Sequence, residues 1–149
     1  MKKTIVLLLI LLALFLSGCA KEDATAQQLA SLDSYISSVE DASNEIKAYL
    51  EHEAMTQTDM NMKSKELYDV WDDALNYLWS ELKAVLPKEQ FEQLQKEQIT
   101  WITEKETAMK EAGELYEGGS MYALIINSEG ATITEERVYE LYTLLKAQY

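Results

Sequence analysis

The sequence predicts an all-α fold, an antiparallel bundle of about four helices that follows an apolar N-terminal segment. The 149 residues include one proline and five glycines, so few positions oppose a helix. Apolar residues recur at alternating spacings of three and four, which place them on one helix face. Cap-like and turn-like segments divide these runs, and the short connections favour antiparallel neighbours.

The first helix is predicted over residues 26–52. Its apolar face comprises Leu29, Leu32, Ile36, Val39, Ser43, Ile46 and Leu50, which is a coiled-coil-like seam with one small polar residue. The seam has two interpretations, packing within the bundle or docking another envelope protein. We favour packing within the bundle, because a single helix hairpin on its own buries little apolar surface.

The second and third helices are predicted from two further stripes. The first stripe follows the cap-like segment Thr56-Gln57-Thr58-Asp59 and ends before Pro87; it comprises Met60, Ser64, Leu67, Trp71, Leu75, Leu78, Leu82 and Val85. The other comprises Phe91, Leu94, Gln98, Trp101, Lys105, Ala108, Ala112 and Leu115. We expect Gly118-Gly119 to end the third helix.

The fourth segment, residues 120–149, also has two interpretations. One face carries Met121, Leu124, Ser128, Ala131, Val138, Leu141 and Leu145, which predicts a single long helix. Gly130 and the capping-box pattern Thr132-Ile133-Thr134-Glu135 indicate a break and a restart. We favour one helix that is weakened near Gly130.

The N-terminus carries the features of an export signal. Two lysines, Lys2 and Lys3, precede an apolar run over residues 5–15, which is too short to span a membrane. The segment Leu16-Ser17-Gly18-Cys19 resembles a bacterial lipobox, in which the cysteine thiol receives a diacylglycerol and the chain is cut before it. The resemblance implies a signal peptide over residues 1–18, a lipidated tether over 19–25, and a single helical domain over 26–149 at the extracytoplasmic face of the membrane.

The charge of the chain constrains its partners. The signal holds two of the 13 basic residues and none of the 26 acidic ones, so cleavage leaves 11 basic and 26 acidic side chains, a formal charge of −15. Such an excess opposes binding to nucleic acid and favours a cationic partner. With Cys19 acylated, no thiol remains for a disulfide or a nucleophile.

Four short motifs indicate a family. They are Tyr68-x-x-x-Asp72-x-x-Leu75-Asn76, Gln98-x-x-Trp101-Ile102, Tyr116-x-Gly118-Gly119-Ser120-Met121 and Thr134-x-x-Arg137-x-x-Glu140-Leu141. In this order they resemble the LprI-type lysozyme-inhibitor family, Gram-positive branch, from about residue 60 to 142 within an LprI-like region over 56–149. The resemblance implies that the protein binds and inhibits lysozyme-type muramidases, which are commonly cationic, and that it is not an enzyme.

The chain departs from this family at several positions. The cysteines that many members carry would align with Lys63, Met109 and Glu129, so the disulfides of those members cannot form here. The arginine and aspartate that usually follow the Trp-Ile pair are Lys105 and Glu106. Lysine keeps the charge but loses the planar two-pronged donor of arginine.

Two groups of candidate site residues follow. The first is a polar network at the edge of the core that comprises Tyr68, Asp72, Asn76, Gln98, Trp101, Lys105 and Arg137. We favour a role in specifying helix packing over ligand binding, since buried polar groups require partners. No catalytic residue, metal site or cofactor is predicted.

The second group is a partner-contact loop that comprises Tyr116, Gly118, Gly119, Ser120 and Tyr122. Two aromatic rings on a flexible backbone suit insertion into an enzyme cleft, although the glycines are also explained if they only end a helix. An alternative function is that of a structural or adaptor envelope lipoprotein that docks another protein through its first amphipathic helix.

Overall fold

The protein consists of four α-helices in the parts of the chain that the structure describes. The structure is a computed structural model that describes the backbone of residues 2–52 and 55–149 and the side chains of residues 25–51 and 55–149. The helices are α1 (Lys2–His52), α2 (Gln57–Val85), α3 (Lys88–Gly113) and α4 (Tyr122–Lys146), with one 3-10 turn (Glu114–Tyr116) between α3 and α4. The predicted all-α bundle is confirmed. The Cys19 side chain lies outside the described residues, so signal cleavage and acylation stay predictions.

The chain divides into two compact units, residues 1–35 with Tyr149 and residues 36–148. Within the second unit, consecutive helices are antiparallel. Thus Ser43 of α1 contacts Trp71 of α2 while Tyr49, later in α1, lies near Lys63, earlier in α2. None of the helices, as far as their side chains are described, is both long and apolar enough to cross a membrane.

The central contact of the second unit joins α2 and α4, which are parallel and pack along their lengths. Asn61 pairs with Ser120, Ser64 with Asn127 and, further along both helices, Trp71 with Tyr139. Helix α3 runs in the opposite direction, since its residue Lys105 meets Tyr68 and its earlier residue Gln98 meets Arg137.

The predicted stripes account for most of the core, with three exceptions. The buried apolar residues of α2 and α4 are Leu67, Trp71, Ala74, Leu75, Leu78, Leu82, Ala131, Val138, Leu141 and Leu145. Val85, Leu115 and Met121, which the periodicity placed in the core, are 37%, 93% and 41% exposed. Val85 is the last residue of α2, Leu115 lies in the 3-10 turn, where the helical period no longer applies, and Met121 precedes α4.

The part of α1 that belongs to the second unit packs against the other helices of that unit. Ile36, Val39, Ser43 and Ile46 are all buried, and the buried Trp71 of α2 donates a hydrogen bond from Nε1 to Ser43 Oγ at 3.1 Å. The seam from Ile36 to Ile46 is therefore an internal contact, so this stretch has no free apolar face for docking a partner.

Helix α4 continues through Gly130, as favoured from the sequence. A Cβ atom at Gly130 would lie 2.9 Å from Met109 Cε and 3.2 Å from Tyr68 Cε2. Side chains of α2 and α3 thus both lie against the backbone of α4 at Gly130, and its missing side chain permits that approach. The Thr134 hydroxyl bonds back to the Gly130 carbonyl at 2.6 Å, inside the helix, and does not cap a new one.

The end of α3 differs from the prediction. The helix ends at Gly113 and continues as the 3-10 turn, so Gly118-Gly119 lie five residues beyond it. A Cβ at Gly113 would lie 2.7 Å from Tyr122 Cε2 and 2.8 Å from Ile126 Cγ2. The close approach of α4 to this glycine, together with its poor helix propensity, explains the earlier end.

The start of α2 agrees with the predicted cap. Thr56 is the N-cap residue, its hydroxyl accepts the backbone N–H of Asp59, and the Asp59 carboxylate accepts the Thr56 backbone N–H in return. This reciprocal pair satisfies two backbone donors that the first turn leaves open. The Thr56 hydroxyl also donates to the Asp59 carboxylate, and this bond, followed by that from the Thr56 backbone N–H, holds the pKa of Asp59 below its usual value.

Candidate functional site

All seven residues of the predicted polar network lie in one connected group, which we call the α2–α3–α4 cluster: Tyr68, Asp72, Asn76, Gln98, Trp101, Lys105 and Arg137. Helix α2 contributes the first three of these residues, α3 the next three and α4 contributes Arg137. The contacts join the residues in a chain, from Asn76 through Asp72 to Lys105, and from Lys105 across Trp101 to Arg137 and Gln98.

Lys105 is the centre of the α2 side of this cluster. Its Nζ donates to Tyr68 Oη at 2.7 Å and lies 3.9 Å from Asp72 Oδ1. The side chain is only 10% exposed, so little water reaches its ammonium group. These partners and the Tyr68 and Trp101 rings, whose centres lie 5.1 and 5.0 Å from Nζ, stabilise that group in place of water. Asn76 donates to the Asp72 side chain at 3.1 Å and steadies that carboxylate.

Arg137 is the centre of the α4 side. Its Nε donates to Gln98 Oε1 at 2.9 Å, and its Nη1 pairs with Glu140 Oε2 at 2.6 Å. The guanidinium carbon lies 5.9 Å from the Trp101 ring centre, so this ring interacts with two cations. Arg137 Nη2 is the one buried side-chain nitrogen or oxygen, within the described part of the chain, that has no hydrogen-bond partner.

Sequence reasoning included Glu140 in a family motif without assigning it to the cluster, and it missed a second polar group on α4. The second group joins α1 to α4 and α2: Lys47 pairs with Glu135 at 2.7 Å, and the Tyr139 hydroxyl donates to Glu40 at 2.6 Å. Ser43, noted only as a gap in the seam, accepts the Trp71 indole N–H. The signal for Glu140 was its spacing of three from Arg137, but the α1 contacts required knowledge of which helices are neighbours.

The position of Tyr139 between α1 and α4 changes the pKa of its hydroxyl. Desolvation, followed by the hydrogen bond to Glu40, raises its pKa above the ordinary value of a tyrosine. The ring also packs on Trp71, with ring centres 5.8 Å apart. Tyr139 therefore contributes both packing and a polar link between α1 and α4.

The segment that joins α3 to α4, residues 114–121, projects from the end of the bundle. Gly118 has a φ of +75°, a conformation that glycine adopts without strain, and Gly119 N–H bonds to the Tyr116 carbonyl at 2.9 Å. Asn61 of α2 donates to the Ser120 carbonyl at 2.9 Å and is itself oriented by Gln57 at 3.0 Å. The turn is thus held in place by α2.

The apolar residues of this segment differ in accessibility. Leu115 is 93% exposed, Met121 41% and Tyr116 36%, whereas Tyr122 packs against Gly113. Of the predicted contact residues, Tyr116, Gly118, Gly119 and Ser120 are at the surface and Tyr122 is a half-buried packing residue. Leu115, which the periodicity assigned to the core, is more exposed than Met121 or Tyr116.

A protein-family model for the lysozyme inhibitor LprI matches residues 50–141, more than half of the chain. The chain belongs to the LprI lysozyme inhibitor family. The match begins near the end of α1 and covers α2, α3 and most of α4, so it contains the α2–α3–α4 cluster and the connecting segment. Searches of curated proteins and of solved structures gave no match.

The two polar groups of this protein differ in how much of each the LprI match covers. The α2–α3–α4 cluster lies wholly inside the matched residues, whereas Glu40, Ser43 and Lys47 on α1 precede them. Within the side chains that the structure describes, no three His, Cys, Asp or Glu residues are placed to hold a metal ion together. The geometry of this LprI family member therefore offers two kinds of feature, a packed polar cluster and a protruding apolar turn.

Proposed function

We propose that this protein is a lipid-anchored, extracytoplasmic inhibitor of lysozyme-type muramidases, and that residues 114–121 contact the enzyme. The observation that carries the proposal is the match to the lysozyme inhibitor family. In this proposal the protein is not catalytic, and it acts by occupying the cleft in which two carboxyl groups cleave a glycosidic bond.

The charge of the chain supports the choice of partner. The sequence has 26 acidic and 13 basic residues, a formal net charge of −13. Opposite charge accelerates encounter with a cationic hydrolase and orients the two proteins before contact. The acidic residues Glu114 and Glu117, both exposed, flank Leu115 and Tyr116 on the projecting segment, so the segment itself shares this charge.

Exposure supports the choice of segment. An almost fully exposed leucine costs hydration free energy in the free protein, which is recovered when a partner covers it. Leu115 combines this exposure with a turn that Asn61 and Gly118 keep in one shape. A preorganised turn loses little conformational entropy on binding.

The lipobox pattern supports the proposed location. An acylated Cys19 would place the inhibitor on the outer face of the membrane, where a muramidase attacks the cell wall. Two acyl chains suffice for stable anchoring. Mass spectrometry of the membrane fraction tests this directly, with Cys19→Ala as the control that is expected to lose both the lipid and the membrane association.

The test of function is a muramidase assay with the full chain in detergent, against lysozymes of more than one structural class. We expect inhibition that weakens as the NaCl concentration rises, because salt screens the attraction between opposite charges. Absence of inhibition of every lysozyme at micromolar protein would contradict the proposal.

The contact segment is tested with a matched pair of variants. Leu115→Ser is expected to weaken inhibition about tenfold or more, as for a central apolar contact. The control, Met62→Ser, alters a residue that is 66% exposed on α2 and is expected to inhibit like the parent. Equal inhibition by both variants would exclude Leu115 from the contact and leave the inhibitory function itself standing.

A further inference from the structure

A surface groove between α2 and α3 is lined entirely by uncharged side chains. It has a volume of about 240 Å³, and its walls include the amides Asn76, Gln95 and Gln98 together with Trp79, Ile99 and Ile102. In a sequence of which 26% is Asp, Glu, Lys or Arg, three amides and an indole without a charged neighbour in the lining are a distinct chemical environment. It suits a ligand that is polar but neutral.

Two of the three amides are fixed in orientation by the α2–α3–α4 cluster. Arginine only donates hydrogen bonds, so the bond from Arg137 Nε fixes Gln98 Oε1 toward Arg137 and leaves Gln98 Nε2 without a protein acceptor among the described residues. Gln98 is only 6% exposed. Asn76 Nδ2 donates to the Asp72 carbonyl and carboxylate at 2.9 and 3.1 Å, which leaves Asn76 Oδ1 as an unused acceptor.

The groove therefore presents one oriented donor, Gln98 Nε2, and one oriented acceptor, Asn76 Oδ1. An acetamido group has the complementary pair, a carbonyl that accepts and an N–H that donates. Gln98 Nε2 is not among the buried atoms that lack a partner, so it is accessible, and because its orientation is already fixed a ligand carbonyl that accepts from it loses little conformational entropy.

The apolar part of the groove suits a sugar ring. Trp79 is held by Phe91, with ring centres 5.0 Å apart, so the indole does not need to be ordered on binding. Aromatic faces pack against the C–H surface of a pyranose, while the polar edges of the sugar remain available for amides. The volume equals that of about eight water molecules at ~30 Å³ each, which fits one ring with its substituent.

We propose that this groove binds a neutral sugar that carries an acetamido group, such as one N-acetylhexosamine unit of a β-1,4-linked glycan. A peptide also contains N–H and C=O groups, but the short groove and the fixed indole favour a single ring over an extended strand. The proposal goes beyond muramidase inhibition, because no enzyme takes part. Ile102 precedes Gly113 by eleven residues, about 16 Å along the helix, so the groove and the projecting segment are separate.

The test is a titration of the full chain, in a detergent without a sugar headgroup, with N,N′,N″-triacetylchitotriose. Calorimetry and saturation-transfer NMR measure binding, and cellotriose, which has the same linkage without acetamido groups, is the ligand control. We expect triacetylchitotriose to bind and cellotriose to bind at least about tenfold more weakly, the effect of roughly one lost hydrogen bond.

Two variants locate the site. Ile99 is 60% exposed at the groove and Met62 is 66% exposed elsewhere on α2, so glutamate at either position leaves the core intact. Ile99→Glu is expected to weaken triacetylchitotriose binding about tenfold or more, by blocking the groove and desolvating a charge, whereas Met62→Glu is expected to bind like the parent.

Four outcomes would overturn the proposal: no triacetylchitotriose signal at millimolar concentration, equal binding of cellotriose, unchanged binding by Ile99→Glu, or equal competition by the peptide analogue N-acetylalanine methylamide, which would indicate peptide recognition. The Leu115→Ser variant is expected to retain sugar binding. Loss of inhibition and loss of sugar binding are therefore distinguishable results.

Discussion

Ser43 shows how a single hydroxyl completes the packing of a large apolar residue. Trp71 is 1% exposed, and its indole N–H has Ser43 Oγ as its acceptor. Ser43 itself is 1% exposed, so water cannot replace it without a rearrangement of α1. One polar position in an apolar seam therefore fixes where α1 lies along α2.

Replacing Ser43 by alanine is expected to destabilise the fold by about 1–3 kcal/mol, because it leaves a buried N–H without an acceptor. Urea unfolding monitored by tryptophan fluorescence measures the change. Ser80→Ala is the matched control, since Ser80 is exposed and bonds only within its own helix, and we expect a change within about 0.5 kcal/mol. Equal losses in both variants would contradict the role of Ser43.

Replacing Gly113 by alanine is expected to destabilise the fold despite the better helix propensity of alanine. The added Cβ would lie under 3 Å from both Tyr122 and Ile126, and overpacking of this kind costs about 1–3 kcal/mol, against about 1 kcal/mol gained from propensity. Thermal unfolding by circular dichroism measures the net effect. The double variant Gly113→Ala with Tyr122→Ala removes the nearest ring, and failure of this change to reduce the penalty would argue against the proposed clash.

Individual polar residues of the cluster were predictable from the sequence, and their partners on α1 were not. Gln98 and Lys105 interrupt an apolar stripe, which marks them as buried polar groups that require partners. Glu40, Lys47 and Tyr139 lie outside any stripe and resemble the many exposed charged and aromatic residues of this chain. Their role depends on the docking of α1, which periodicity does not specify.

At the scale of helices, two cations join α3 to its neighbours, Lys105 toward α2 and Arg137 toward α4. Lys105 and Arg137 lie 5.0 and 5.9 Å from the centre of the Trp101 ring. This arrangement constrains the rotation and the axial position of α3, because a shift of α3 by one turn would separate Lys105 from Tyr68 and Asp72 on α2 and would separate Gln98 and Trp101 from Arg137 on α4.

Replacing Asp72 by alanine is expected to destabilise the fold by roughly 1–2 kcal/mol, since Lys105 then keeps only Tyr68 as a polar partner in a largely desolvated position. The estimate is reduced from that of a fully buried pair because the Asp72 side chain is 40% exposed. Asp69→Ala breaks the exposed pair with Lys65 and is expected to cost at most about 0.5 kcal/mol. Unchanged melting of Asp72→Ala with loss of muramidase inhibition would instead indicate a binding role for the cluster.

The link between α1 and α4 predicts a response to alkaline pH. The pKa of Tyr139 is higher in the folded state than its ordinary value of about 10, so its stabilising contribution is present below that pH and is lost as pH rises through the folded-state pKa. Tyr139→Phe keeps the ring and removes the bond to Glu40. The stability difference between parent and variant, measured by urea unfolding, is expected to be largest near neutral pH and to shrink above about pH 10; a constant difference would contradict this assignment.

The helices themselves were mostly predictable, because caps and periodicity are local. Thr56 and Asp59 satisfy each other within one turn, so the start of α2 follows from four residues. The end of α3 depends on contact between Gly113 and α4, which no local pattern contains. For the same reason Gly130, a helix breaker by propensity, lies within a continuous helix that tertiary packing stabilises.

At the scale of the whole molecule, the net charge of −13 opposes compactness. Like charges on a folded surface repel one another more strongly than on an expanded chain. The midpoint of thermal unfolding is therefore expected to rise as NaCl is increased from about 0.02 to about 0.3 M, where the Debye length becomes shorter than the typical spacing of surface charges. Sucrose at the same osmolality is the control, because it reproduces the general effects of a solute without screening charge. A fall in the midpoint of thermal unfolding as the NaCl concentration rises would contradict the prediction.

Helix order was predictable, but helix neighbours were not. The apolar stripes show which face of each helix is buried, and the short connections show that consecutive helices are antiparallel. Neither observation indicates that α2 and α4, which are parallel and not consecutive, form the central contact. The arrangement includes a close approach at Gly130 of α4, where Met109 of α3 and Tyr68 of α2 both lie against the helix backbone.

The pairing of α2 with α4 determines when the protein can fold during its synthesis. Ser64 and Asn127, a contacting pair, are 63 positions apart, so the side of α2 that faces α4 lacks its partner until α4 has been made. Folding is expected to be slower than in bundles of local helix hairpins, because a long loop must close first. Until that closure, the side of α2 that faces α4 stays exposed to solvent in the newly made chain.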